Sequence, residues 1–256
     1  MLPAGWSAAE LSGARRGLEL GQMHLWLLPQ PPNEFALRHA ASSLSAQESR
    51  RAVAFANPVD QRRYIAAHGF MRAVLAHYTA IEASALCFIE GAAGKPALAP
   101  AQAASAIQFN LSHSGDLVLC GAAREQPVGV DVEVVRQLDD LPALLRSSFS
   151  ADERRQFDAL DASLRHEAFF AAWTRKEAVI KALGTGLSTE PARIEVTIDP
   201  RRQPGVVAID GSAAEAHRWS LWGDRLLQGA WWAAACPCKG MALSLWCDRG
   251  IAHTPE

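Results

Sequence analysis

Long apolar runs are missing from this chain. No stretch approaches the roughly 18 to 20 consecutive apolar residues that cross a bilayer, so no membrane partner is expected. The opening MLPAGWSAAELSGARRGLEL carries acidic groups and lacks a basic start followed by an apolar stretch, so no secretory signal is expected. A strong charge of either sign is also missing. With 25 Lys and Arg against 27 Asp and Glu, the formal charge is −2, which predicts no nucleic-acid partner and no pull toward anionic membranes. Any anion site must come from a local cluster of basic groups. Cysteine is scarce: five residues, at 87, 120, 236, 238 and 247, odd in number and irregularly spaced. Cys236-Pro237-Cys238 lacks the second ligand pair of a zinc site, so small core thiols in a reducing cytoplasm are the better reading. Nucleotide-loop signatures are missing too. Gly184-Thr185-Gly186 ends a helical pattern instead of starting one, which fits a C-terminal cap and not a Walker loop.

What is present is an ordinary globular composition. Of 256 residues, 49% are hydrophobic and 20% charged, enough for a sizeable core without disulfide or metal staples. The length suits one large domain or two intimate lobes. HLWLLP (24–29) reads as a strand. SAQESRRAVAF (45–55) and SADERRQFDAL (150–160) each place Ser three residues before Glu, the signature of a capping box. Residues 59–80 and 163–184 carry long helical patterns. LCFIE (86–90) reads as a short strand, and IQFNLSHSGDLVLCGAA (107–123) as two strands around a bend. VGVDVEVV (128–135) reads as a strand. From Ile194 onward, IEVTI, GVVAI, HRWSLW, GAWWAAA and MALSLW are β-rich segments separated by turns. Strand, helices and strands thus recur in each half, with a seam expected at 124–128. No sequence repeat is strong enough to prove duplication.

Two places put carboxylates where carbon is expected. Around the 163–184 helix, at ~100° per residue, Phe169, Phe170, Ala172, Trp173, Val179, Ile180 and Leu183 form one broad apolar arc. Lys176 falls in its middle and Glu177 lies between Trp173 and Phe170, while Thr174, Arg175 and Ala178 form the polar arc. A charge in an apolar stripe is costly unless it is paired or bound to a metal. Alternatively, Glu177 and Lys181, four apart, form a plain surface pair. In VGVDVEVV, alternation turns Val130, Val132 and Val134 to one face and Asp131 and Glu133 to the other. Those two carboxylates make a wall for a hard cation such as magnesium, or else the polar face of a half-exposed strand. Arg51, Arg63, Lys95 and His113 are each compatible with plain solvation or with an anionic ligand. Residue types and spacing therefore reach a magnesium-dependent site for a phosphorylated ligand, and no reaction.

GKPAL (94–98), FNLSHSGD (109–116), VGVDVE (128–133) and WTRKEAVIKALGTGL (173–187), in that order, resemble the 4'-phosphopantetheinyl transferase superfamily, in particular its larger, surfactin-synthetase-activating type. Arg51…Phe55…Asp60-Gln61-Arg62-Arg63 resembles that family's early basic region. The resemblance covers roughly residues 45 to 200.

The resemblance implies an α+β fold of two similar α/β lobes related by pseudo-twofold symmetry. Each lobe would have an antiparallel sheet packed by a long helix, with the active site in the cleft between them. The lobes would be residues 1–126, on the side of the coenzyme A adenine and 3'-phosphate, and 127–256, bearing the magnesium-binding and catalytic motifs. It implies transfer of 4'-phosphopantetheine from coenzyme A to a serine of an apo acyl or peptidyl carrier protein, by a cytoplasmic monomer using magnesium. By matching position, Asp131, Glu133 and Glu177 are the metal ligands. Glu177, Lys181 and His113 are the catalytic group, with Glu177 the candidate base. Arg51, Arg63, Lys95, Ser112, His113, Lys176 and Lys181 contact coenzyme A. Glu48 departs from relatives that have lysine there. Two rival readings, a non-catalytic coenzyme A- or nucleotide-binding module and a coenzyme A-dependent acyl transferase, have no use for the three acids; a third, a scaffold with ordinary salt bridges, would be excluded by magnesium-dependent coenzyme A binding.

Overall fold

In the computed structural model, residues 7–9, 17–29, 32–91 and 94–248 are described. Their elements, in chain order, begin with β1 (Ser7–Ala9), β2 (Gln22–Leu28), α1 (Glu34–Ser43), α2 (Ala46–Val53) and α3 (Pro58–Thr79). A ribbon of β3 (Phe88–Glu90) and β4 (Pro96–Leu98) follows, then β5 (Ile107–Ser114), β6 (Leu117–Arg124) and β7 (Gly129–Val134). Next come α4 (Leu141–Ser148), α5 (Ala151–Asp158), α6 (Ala162–Leu183), β8 (Ile194–Val196) and β9 (Val206–Ile209). The order closes with α7 (Ala213–Ala216), β10 (Ser220–Leu226), β11 (Ala230–Cys236) and β12 (Ala242–Asp248). None of the described helices is long and apolar enough to cross a membrane.

The chain divides into two compact units, with the main break between Glu125 and Gln126. Two segments cross it. Glu90–Lys95 belongs with the second unit, and the strand from Ala242 belongs with the first. The first unit holds a five-stranded sheet ordered β1-β12-β2-β6-β5. This corrects two expectations. MALSLW does not stay with the second half, and the sheet is mixed, because β12 runs parallel to both β1 and β2. Trp26, Phe70, Val74, Leu75, Phe109 and Cys120 form the core between this sheet and α3.

In the second unit, β10-β11-β7 is wholly antiparallel, and β8-β9 is a separate pair. Helix α6 packs on β7, β10, β11 and β8. Covered from these several sides, its middle is buried beyond the expected apolar arc. Thr174, Arg175 and Lys176 are all at most 1% exposed, so the supposed polar arc lies inside the protein. Thr174 Oγ1 returns its proton to carbonyls of its own helix, and Arg175 donates to Thr197 O at 2.6 Å.

Both capping boxes form: Ser45 with Glu48 starts α2, and Ser150 with Glu153 starts α5. In each unit the capping glutamate reaches onward to a buried cation on the 22-residue helix. Glu48 Oε2 accepts from Arg72, 2.6 Å away, which also donates to Ala83 O and Leu86 O. Glu153 Oε2 accepts from Lys176, which also donates to Pro191 O and Ile194 O. The sequence showed the boxes and not this shared construction.

Candidate active site

Strand β7 and helix α6 build the acidic part of the site. A Cβ placed on Gly129 would lie 1.9 Å from Ala178 O and 2.3 Å from Ala182 N, so only glycine lets the strand rest on the helix backbone. Because alternate residues of a strand share a face, Asp131 and Glu133 look toward that same helix. Asp131 is 4% exposed, and its Oδ1 accepts from Lys181 Nζ at 2.6 Å. Glu133 is partly buried and lies 3.3 Å from Arg136. Glu177, one turn before Lys181, completes the group. Burial, and then the charge of Asp131, pushes the Glu177 carboxyl above the ordinary carboxylate range; Lys181 opposes this and Glu133 adds to it. Glu177 therefore stands in the field of both strand acids.

Among the described residues, no three His, Cys, Asp or Glu side chains are already gathered as a metal-ligand set. The donors nevertheless suit a hard divalent cation. They are carboxylate oxygens, and their mutual repulsion, visible at Glu177, is what such an ion relieves.

Two expected coenzyme A contacts have partners within the protein. Lys176 is a correction: its ammonium is 0% exposed, 2.6 Å from Glu153 and 5.0 Å from the centre of the Phe149 ring. Burial pulls the ammonium down and pushes the Glu153 carboxyl up, each opposed by the partner's charge. This side chain holds α5 to α6 in the core, away from any phosphate. Lys95 donates to Val128 O at 2.7 Å and Lys181 O at 2.8 Å, and burial lowers its pKa to about 8.

In the first unit, a cavity of about 260 Å³ is lined by Arg62, Arg63, His113 and Asp116 together with Leu37 and Val59. Arg63 pairs with Asp116 at 2.9 Å and with Asp60 at 3.6 Å. Asp116, the last residue of FNLSHSGD, was not singled out from sequence, although its place beside the histidine in the β5–β6 turn was the available signal. His113 is exposed, whereas Ser112, its neighbour in the strand, is buried. Arg51 lies 5.7 Å over the ring of Tyr64. Glu48 has a structural cause: it caps α2 and binds His68 and Arg72.

Comparison with known proteins bears on the family. A profile described as 4'-phosphopantetheinyl transferase, N-terminal, matches residues 30–125, and one for the 4'-phosphopantetheinyl transferase superfamily matches residues 127–236. The 4'-phosphopantetheinyl transferase HetI of Nostoc sp. is 35% identical over 70% of this chain and 75% of its own. The chain belongs to the 4'-phosphopantetheinyl transferase superfamily. A putative 4'-phosphopantetheinyl transferase of Synechocystis sp. is 31% identical over 66% of this chain and 68% of its own. Among solved structures, Thermotoga maritima holo-[acyl-carrier-protein] synthase aligns at TM-score 0.34 and 20% identity, over 43% of this chain and 61% of its own. Both halves of this phosphopantetheinyl transferase are thus matched, the acids lying within one matched segment and Arg51, Arg63, Ser112 and His113 within the other.

Proposed function

We propose that this chain transfers 4'-phosphopantetheine from coenzyme A to a serine hydroxyl of an apo acyl or peptidyl carrier protein, with magnesium, releasing adenosine 3',5'-bisphosphate. One observation carries the reading: Asp131, Glu133, Glu177 and Lys181 are built onto one strand–helix contact, close enough for the two strand acids to perturb Glu177.

In this reading Asp131, Glu133 and Glu177 hold the divalent ion. When bound, magnesium neutralises charge that develops on the diphosphate oxygens. The serine oxygen forms a bond to the β-phosphorus as the bridging P–O bond to the nucleotide breaks. Lys181 donates to the diphosphate, exchanging its partner on Asp131 for phosphate oxygen. Glu177 accepts the serine proton, the role of a general base placed beside the incoming hydroxyl. Arg51, Arg63, Ser112 and His113 are the further coenzyme A contacts of this reading.

Incubation with coenzyme A, magnesium and a panel of apo carriers, read by intact mass, tests this. The expected result is a gain of one phosphopantetheine on a carrier serine, lost with a chelator and in Asp131→Ala. No gain on any carrier sinks the reading, and full activity of Asp131→Ala sinks the metal assignment.

A further inference from the structure

Lys95 has two backbone partners that the family resemblance does not give it. Its ammonium is held by two carbonyls, Val128 O and Lys181 O, and among the described residues no carboxylate pairs with it. Val128 immediately precedes β7, the strand of Asp131 and Glu133. Lys181 lies in the last turn of α6, where carbonyls have no partner within the helix and a cation is favoured. The aliphatic stem passes the left-handed cap Gly184, whose added Cβ would sit 3.9 Å from Lys95 Cδ. One side chain therefore ties the entry of the acidic strand to the exit of the helix that carries Glu177 and Lys181.

Such a tie is needed because the strand and helix meet backbone to backbone at Gly129. A contact without a side chain has no knob in a hole to stop one element sliding along the other. A slide of an ångström or two would break the 2.6 Å pair between Lys181 and Asp131 and spread the three acids. Two hydrogen bonds from a single nitrogen oppose that slide.

We propose, building on the transferase reading, that Lys95 is a positioning residue whose ammonium fixes β7 against the C-terminal turn of α6. It thereby holds Asp131 and Glu133 at the spacing from Glu177 that a divalent cation requires. It acts through those side chains and does not touch the nucleotide.

The test uses Lys95→Met, which keeps the stem, and Lys95→Arg, which keeps the charge. Manganese binding to the protein without coenzyme A is followed by electron paramagnetic resonance. Hydrogen exchange is read at 129–134 and 178–184, and turnover is compared with coenzyme A and 3'-dephospho-coenzyme A. Removal of a group that orients metal ligands weakens metal binding or activity by about 10- to 100-fold, and Lys95→Met is expected in that range. Exchange should quicken in those two segments, the preference for coenzyme A over its dephospho form should be unchanged, and Lys95→Arg should recover most of the loss. Unchanged manganese affinity in Lys95→Met, or a collapsed preference for the 3'-phosphate, overturns the proposal while leaving the transferase reading intact. A wild-type chain that neither binds manganese nor modifies a carrier overturns the reading and this proposal with it.

Discussion

Lys176 Nζ lies 2.6 Å from Glu153 Oε2, with the two side chains 0% and 1% exposed. Glu153 also accepts from Ser150 N and Val196 N, so one carboxylate joins the start of α5, the middle of α6 and the strand β8.

Removing the cation alone would leave that carboxylate buried without its charge partner. Lys176→Met is therefore expected to lower stability by about 3–5 kcal/mol, measured as the shift of a denaturant unfolding curve. Adding Glu153→Gln should recover part of the loss, because the lone buried charge is then gone. A phosphate-binding lysine would give the opposite pattern, normal stability with weakened coenzyme A binding.

Glu48 contributes to the acid side of the stability curve. Burial alone would raise its carboxyl, but the bonds from His68, Arg72 and Ser45 outweigh burial and bring it from 4.5 to about 2. A depressed carboxylate stabilises the fold above its unfolded pKa and loses that contribution as pH falls through the folded one. The window is therefore about pH 4.5 down to 2, and the contribution is at most roughly 3 kcal/mol. Glu48→Gln should be less stable at neutral pH and show a flatter decline on acidification.

Glu177 has the reverse sign. With its carboxyl raised by burial and by Asp131, the folded chain holds that proton more tightly than the unfolded chain does. Its native state therefore weakens as pH rises through the raised value. Without metal, Glu177→Gln is expected to raise the thermal midpoint at neutral pH and to reduce the stabilisation given by added magnesium. Turnover at saturating magnesium should fall by about 100-fold or more, the usual scale for loss of a general base. Near-normal turnover would remove Glu177 from the proton transfer.

Gly129→Ala probes the strand–helix contact directly. The new methyl must displace either β7 or the α6 backbone, since its carbon would fall 1.9 Å from Ala178 O. A loss of at least about 1–3 kcal/mol is expected, together with weaker divalent binding, measured by thermal unfolding with and without magnesium.

Much of this was legible in the chain, and the exceptions share a cause. Capping boxes at Ser45 and Ser150 are local, as are the helical periods of α3 and α6 and the alternation that turns Asp131 and Glu133 to one face. Lys176 was misread because its partner is 23 residues away on another helix, and the apolar arc around it gave no sign of what covered it. The partners of Lys95 were hidden for the same reason: the carbonyls it binds are 33 and 86 residues distant. The helices α1 and α4 went unrecognised, and the destination of β12 depends on a pairing across most of the chain.

That pairing governs the order of assembly. β12 sits between β1 and β2, so during synthesis β2 presents a bare edge until Ala242–Asp248 has left the ribosome. A scissile loop engineered between Glu125 and Gln126 would not yield two self-sufficient halves, because the upstream fragment would lack an inner strand of its own sheet. Separating the units calls for grafting 242–248 onto the shorter piece.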